Sequence, residues 1–370
     1  MSQRATVMVL FGGRSGEHPI SCITASSVLK EIDRSRFDVI PVGITQQGQW
    51  VLLDDDLTDV QTDDTGLPFV ADNGTEILLP LAQGNSNFRV LENNGQVRGL
   101  GHVDVVFPLV HGPFGEDGTL QGLLDLIDQR YVGAGVIASA VGMDKHYMKV
   151  VLEGHGIPVT PFVTVFPGQW ESDRAGVLAR ISELEFPLFV KPARAGSSLG
   201  VSKVDSLDGL DAALAEAHKH DPKVLIETGI SGREIECAVL GGRAGAPART
   251  SFPGEIAIAS GEYDFYDFEA KYVDDAAAEL SCPAELSDDV AAQVRDLAVR
   301  TFTALGCEGL GRVDVFVQED GTVIVNEINT MPGFTPISMY PRMWERTGIL
   351  YKDLVTELIE LALERPVGLR

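Results

Sequence analysis

The chain has 370 residues, 44% hydrophobic and 22% charged, ordinary values for a globular protein and enough for two or three domains with separate cores. Its formal charge of −25 is not ordinary, and a field of that sign disfavours nucleic-acid phosphate and anionic membrane surfaces as partners. Cys22, Cys237, Cys282 and Cys307 are far apart, without the close pair of a zinc or redox motif, and no segment approaches the ~18 apolar residues of a membrane span.

The N-terminus carries one arginine and an apolar run that stops at Gly12-Gly13, too short for a secretory signal, so a cytoplasmic protein with reduced thiols is expected. Residues 5–11 predict a buried strand, followed by a glycine-rich turn and a helix from about Pro19. That succession opens a doubly wound α/β sheet with its ligand crevice at the strand's carboxyl end. A strand over 37–45 precedes an insertion of short strands and loops, about 46–100, rich in Asp, Asn, Gln and Gly. The α/β pattern resumes with a strand at 103–110, the loop His111–Gly118 and a helix at 119–128. This parallel-sheet domain is expected to span 1–133.

A small α+β domain is expected over 134–227. It begins with one helix running through SAVGMDKHYMKVVLEG, its start signal before Met143 and its end at Gly154, Gly156 and Pro158. Strands at 161–166, 187–192, 201–204 and 224–227 follow, with helices near 174–184 and 207–219. A third, α+β unit, 228–370, contains a strand at 234–242, an aromatic-acidic loop at 261–275, a helix near 287–305, a hairpin at 311–329 and a closing helix at 351–364.

The hairpin carries the most chemistry. It turns at Asp320-Gly321 between two β-branched apolar runs, and a two-residue type I′ loop there sets Glu319 against Thr322. Counting back, Asp314 lies opposite Glu327 and Arg312 opposite Asn329, all four on one face. Carboxylates with Cβ atoms roughly 5 Å apart across strands repel. A divalent cation removes that penalty, and two carboxylates with an amide oxygen are hard ligands of the kind Mg²⁺ accepts. A solvated polar face on an edge hairpin also explains the alternation, but not the pairing of like charges.

Three loops add to this. Lys191–Gly200 (KPARAGSSLG) lies between strands, and its small residues let backbone N–H groups approach a polyphosphate while Lys191 adds charge. It is no Walker loop, and by itself such a loop is also an ordinary tight turn. Gly133–Ala138 fits a dinucleotide fingerprint but lacks the acidic ribose ligand about twenty residues on, so it is read as an interdomain turn. His111–Gly118 (HGPFGEDG) opens a helix, where capping by Asp117 or Thr119 is an equal alternative to binding. Glu17, in the glycine-rich loop after the first strand, suits an ammonium ligand.

Together, FGGRSGEHPIS, HGPFGEDGTLQG, MDKHYMK, VKPARAGSSLGVSKV, VLIETGISGREIE, YDFEAKY, GRVDVF and NEINTMPGFTPISMYP resemble the ATP-grasp superfamily, and within it the D-alanine:D-alanine ligases, over essentially the whole chain. The resemblance implies an ATP-grasp fold in which the second and third domains grip ATP and the first helps to hold D-alanine. It implies that Lys145 and Lys191 meet the ATP phosphates and that Glu227 and the backbone after it hold adenine. Ser197, Ser198, Thr228, Ile230 and Glu234 would also serve the nucleotide, with Lys271 reaching it as a loop closes. Asp314, Glu327 and Asn329 would ligate two Mg²⁺, for which Mn²⁺ is a substitute. Glu17 would take the first D-alanine's ammonium, with His111 nearby, while Ser338 and Met339 receive the second substrate. Arg312 and the Gly333 N–H would stabilise the oxyanion, and Ser197 and Tyr272 would link Glu17 to the closing loop. Thr228-Gly229 departs from the family, whose members often carry a lysine there.

The implied reaction runs through an acyl phosphate, which the loop 262–272 would shield from water as a lid. A D-alanine:D-lactate ligase of the same fold is the near alternative, against which Tyr272 argues. A nucleotide-binding relative without catalysis is the distant one. A homodimer is expected from the resemblance alone.

Overall fold

The computed structural model describes residues 4–58, 60–82, 84–196, 198–258 and 278–368. The apolar run that begins the chain forms β1 (Ala5–Gly12), and Val7–Phe11 are buried on both faces, as a central parallel strand requires. After α1 (His18–Glu31), β2 (Phe37–Ile44) pairs with β1 in parallel, and β3 (Trp50–Leu52) adds an antiparallel edge. The insertion consists of the ribbon β4 (Val60–Thr62) with β5 (Pro68–Val70) and the sheet β6 (Glu76–Leu78), β7 (Asn87–Leu91), β8 (Val97–His102). The chain then returns as β9 (Val105–Pro108) on the other side of β1 and continues into α2 (Thr119–Leu126). Strand order β3-β2-β1-β9 reverses at β1, which opens a crevice at its carboxyl end. Ser21 draws the two crevice loops together, accepting from the Gly12 N–H at 2.7 Å and donating to the Leu109 carbonyl at 2.5 Å.

Where the sequence reads as one helix there are two, α3 (Val136–Met143) and α4 (Lys145–Gly154). Asp144 separates them: its backbone is extended, and its carboxylate caps α4 by accepting from the N–H groups of His146 (3.2 Å) and Tyr147 (3.3 Å). The expected turn at Gly133–Ala138 therefore stops at Gly135, with Val136 already helical. Next come β10 (Phe162–Val165), a one-turn helix at Gln169–Ser172, α5 (Arg174–Ile181), β11 (Leu188–Pro192), β12 (Ser202–Val204), α6 (Leu210–Ala217) and β13 (Val224–Thr228). Their strands form an antiparallel sheet in the order β10-β13-β11-β12.

The last sheet runs β17-β16-β14-β18-β19, from β14 (Arg233–Leu240), β16 (Gly254–Ile258), β17 (Ala278–Ser281), β18 (Leu310–Val317) and β19 (Val323–Asn329), with the two-residue β15 (Arg249–Thr250) beside β14. α7 (Asp288–Ala304) covers one face, packing Val294, Leu297 and Phe302 against Val313, Val315 and Val325. α8 (Met339–Thr347) lies on the other face; the sequence reading missed it because Pro341 breaks the pattern, although a proline in a first helical turn forfeits no internal hydrogen bond.

The hairpin keeps the expected pairs and changes the reason. Arg312 faces Asn329 and Asp314 faces Glu327. The loop, however, has three residues: Gln318 N–H bonds the Thr322 carbonyl at 2.9 Å, and only Gly321 has positive φ, +84°. That shifts the ladder by one, so Val315 pairs with Val325 and Val317 with Val323. A bulge at Asn326 shifts it back. Without it Glu327 would share the buried face of Val323 and Val325; with it Glu327 joins Arg312 and Asp314 on the opposite face.

α9 (Tyr351–Glu364) ends the chain against its beginning, burying Leu354, Leu358 and Ile359 in a core shared with Val7, Val9 and Phe107. Just past it, Arg365 donates to the carbonyls of Tyr131 (3.0 Å) and Gly133 (2.7 Å) and pairs with Glu308. Arg365→Met should therefore destabilise the protein by about 3 kcal/mol, since it leaves two buried carbonyls unpaired. Glu308→Gln should cost less than about 1 kcal/mol, because Glu308 is 44% exposed. Equal losses for the two variants in urea unfolding would refute the assignment.

Candidate active site

A cavity of about 850 Å³ opens where the crevice of the first sheet meets the polar face of the hairpin. Glu17 and His111 line it from the crevice, Lys145 from the start of α4, and Arg312, Glu327 and Asn329 from the hairpin. Gly333, Ser338 and Met339 complete the wall. Nine of the residues singled out from the sequence thus meet in one space. Asp314 sits beside Arg312, and Lys191, Ser198, Glu227, Thr228, Ile230 and Glu234 belong to the neighbouring sheets and loops. Ser197, Lys271, Tyr272 and the 262–272 loop lie outside the described residues.

On the hairpin, protein cations already offset the paired carboxylates. Arg312 donates to both oxygens of Asp314 at 2.7 Å and lies 3.2 Å from Glu236, while Lys145 lies 3.2 Å from Glu327. Burial works against the Arg312 charge, but Asp314 and Glu236 hold its pKa well above the ordinary value. Part of the relief that the sequence reading gives to a divalent cation thus comes from the protein itself. Asn329 donates to Asp314 at 2.9 Å, which leaves its amide oxygen for another partner. Among the described residues no three His, Cys, Asp or Glu side chains form a closed metal cage. Two carboxylates and an amide oxygen still suit a hard cation that takes its remaining oxygens from substrate and water.

The crevice loop grips the hairpin's exit through one residue, Met331. Glu116 Oε1 accepts from the Gly112 N–H at 2.8 Å and Oε2 from the Met331 N–H at 3.2 Å. His111 Nδ1 lies 3.2 Å from the Met331 carbonyl, and its Nε2 is 3.3 Å from the Thr24 hydroxyl. With Nδ1–H donating and Nε2 accepting, the ring is neutral, in keeping with a pKa lowered by burial. His111 thus lines the cavity while both ring nitrogens are engaged. Gly112 has φ +73°, and a Cβ there would stand 2.5 Å from Glu17 Oε2, so this loop must be glycine for Glu17 to occupy its place. Glu116 escaped the sequence reading, although it sits inside a motif that the reading had singled out.

Toward the central sheet, Lys191 on β11 and Glu227 on β13 are diagonal neighbours on one face and form an ion pair. Lys149, fully buried and also missed from the sequence, reaches the other Glu227 oxygen at 3.0 Å. The signal for it was Lys145-x-x-x-Lys149, a spacing that puts both lysines on one helix face. The loop 193–200 hangs from α4, with the Lys145 N–H on the Ala193 carbonyl (2.9 Å) and the Lys145 ammonium on the Ala195 carbonyl (3.0 Å). Thr228 accepts from the Glu185 N–H at 3.3 Å, while Ile230 lies in the turn between β13 and β14 and Glu234 on β14 opposite Phe316. Ser338 precedes α8 without capping it; its hydroxyl meets the Thr335 hydroxyl at 2.8 Å.

Comparison with known proteins identifies the family. Family models described as the D-ala D-ala ligase N-terminus and C-terminus match residues 6–134 and 151–360. The chain is 58% identical to a D-alanine–D-alanine ligase of Paenarthrobacter aurescens, covering 99% of this chain and 97% of that protein. It is 51% identical to the enzyme of that name from Streptomyces griseus, over 100% and 95% of the two chains. Among solved structures, the VanG D-Ala:D-Ser ligase of Enterococcus faecalis superposes with TM-score 0.82 at 33% identity, covering 97% of this chain and all of that one. The D-alanine-D-alanine ligase of Coxiella burnetii gives 0.81 at 36% identity, over 98% and 95%. The chain belongs to the D-alanine–D-alanine ligase family, with the ATP-grasp fold.

Burial, and then the nearby charge of Glu17, push the Glu116 carboxyl up from 4.5 to about 8, which favours its protonated form at neutral pH. Between those two values the folded chain holds a proton that the unfolded chain has released. Glu116's contribution to stability is therefore complete below about pH 4.5 and declines as pH rises toward 8. Carboxyl ¹³C NMR, assigned by comparison with Glu116→Gln, should show a resonance titrating near 8; a midpoint below 5 would refute the assignment.

Proposed function

We propose that this member of the family joins two molecules of D-alanine with ATP, giving D-alanyl-D-alanine, ADP and phosphate for peptidoglycan synthesis. One observation carries the reading: Glu17, Lys145, Arg312, Glu327 and the start of α8 all line one cavity. Glu17 binds the ammonium of the first D-alanine, whose carboxylate oxygen attacks the γ-phosphorus of ATP as the bond to the ADP oxygen breaks. Lys145 and Lys191 hold the polyphosphate, with the loop around Ser198 beside it, and Glu227, Thr228, Ile230 and Glu234 hold the nucleoside. Asp314, Glu327 and Asn329 would hold two Mg²⁺, which neutralise phosphate charge when bound.

The second D-alanine places its carboxylate at the start of α8, where Ser338 leaves backbone N–H groups and the helix dipole available to an anion. Its neutral amine then attacks the acyl carbon; phosphate departs, and the nitrogen loses a proton. Arg312 and the Gly333 N–H stabilise the oxyanion formed on the way. The three units 1–133, 134–227 and 228–370 divide the work accordingly.

Phosphate release with D-alanine, ATP and Mg²⁺ tests the reaction, and product analysis with added D-lactate or D-serine tests the second substrate. A depsipeptide or D-alanyl-D-serine as the main product would refute the proposed specificity. Glu327→Gln should lower kcat by about 100-fold or more while the fold persists, because it removes a charge without changing volume. Near-normal turnover at saturating Mg²⁺ would sink the metal assignment. A homodimer is proposed through α2 and α3, which leave Leu126 and Ile137 exposed; Leu126→Ser/Ile137→Ser should then run as a monomer in light scattering, and an unchanged mass would exclude that face.

A further inference from the structure

Lys149 has no place in the reaction described above, yet it is fully buried on the face of α4 that also carries Lys145. Its ammonium lies 3.0 Å from Glu227 Oε2 and 5.7 Å from the ring centre of Phe162, the residue paired with Glu227 on β10. The other Glu227 oxygen is held by Lys191. One buried carboxylate thus has two lysines, one on each oxygen. The structure places two lysines where one ammonium would neutralise the charge.

The surplus has a physical consequence. A buried carboxylate that loses its only counter-ion is strongly destabilised, so a lysine that alone balanced Glu227 could not readily leave it. Both lysines are under the opposite pressure: burial, and then Lys145, bring Lys149 down to about 7, and burial with the neighbouring Lys149 and Lys145 lowers Lys191 well below its ordinary value. An arriving polyphosphate relieves that pressure, provided that Glu227 stays paired.

We infer that Lys149 is a positioning residue of the nucleotide site, holding Glu227 so that Lys191 can turn from Glu227 to the ATP phosphates. The inference rests on the reading that Lys191 meets those phosphates. Lys149 itself stays beneath the sheet and touches no substrate. Its length and burial suit it to hold a carboxylate, and its position one helical turn beyond Lys145 keeps α4 in register with both the central sheet and the hairpin.

The test is a double-mutant cycle on the full-length enzyme. Lys149→Met keeps the length and apolar volume of the side chain and removes its charge. It should raise KM for ATP and the dissociation constant of MgADP at least tenfold, with kcat and the KM for D-alanine changed less than twofold. In a Glu227→Gln background Lys191 has no buried anion to hold it, so the same Lys149→Met change should cost less than twofold in MgADP affinity. A Lys149→Met enzyme that binds MgADP like the wild type overturns the inference. So does an equal loss in both backgrounds, which would mean that Lys149 contributes only general charge or packing. If Lys149→Met alone proves too unstable to assay, the Lys149→Met/Glu227→Gln pair, which buries neither charge, still reports against Glu227→Gln. Wild-type protein that fails to bind MgADP would overturn the nucleotide reading and this inference with it; normal wild-type binding beside an unaffected Lys149→Met overturns this inference alone.

Discussion

The interaction on which the site depends is the charge pairing between α4 and the two sheets that flank it. Lys145 and Lys149, one turn apart, reach Glu327 on β19 and Glu227 on β13. Each pair removes charge from water, and each is tolerable only because its partner is close. Moving α4 by a few ångströms would strand a carboxylate in one sheet or the other. The helix is therefore a spacer set by electrostatics as much as by the packing of Met148 and Leu152. Its placement depends in turn on Asp144, which caps α4 and takes up Lys223, so the break between α3 and α4 is part of how the site is held.

A second constraint fixes the substrate crevice to this frame. Both peptide groups of Met331 that face the crevice loop are occupied, the N–H by Glu116 and the carbonyl by His111. Two bonds to one residue set orientation as well as distance, which a single contact would not do. Since Asn329 and Gly333 flank Met331 and Arg312 pairs with Asn329 across the hairpin, the clasp holds the Glu17 loop in position relative to the groups proposed to act with it. α9 and Arg365 do the same from behind, joining the last helix to the first sheet.

Much of this was legible in the sequence where the signal was local. The first strand, the Gly loop and α1 follow from a hydrophobic run and its punctuation, and the closing helix falls on residues 351–364 as its periodicity predicts. The hairpin shows both the strength and the limit of such reasoning. The cross-strand pairs were found from an Asp-Gly turn, yet the loop has one residue more than that turn assumes, and a bulge at Asn326 cancels the error. The phase break was there to be read: Val323 and Val325 alternate, and the next buried residue is Ile328, three positions on. Glu116 and Lys149 were not legible in the same way. Their partners Met331 and Glu227 are distant in sequence, and what makes them notable is burial, a property of the assembled fold.

The same distinction reconciles the overall charge with an anionic nucleotide. A chain of formal charge −25 repels ATP at long range, so any attraction has to come from groups within a few ångströms. Lysines placed on the surface would be diluted by that acidic field and by salt. Lys145, Lys149 and Lys191 are instead gathered around Glu227 and Glu327 in a poorly hydrated space, Lys149 fully buried and the other two largely so. There, electrostatic interactions are screened least. An anion that reaches the three lysines is therefore bound by short-range contacts that the acidic exterior does little to weaken, as the proposed role of Lys145 and Lys191 requires.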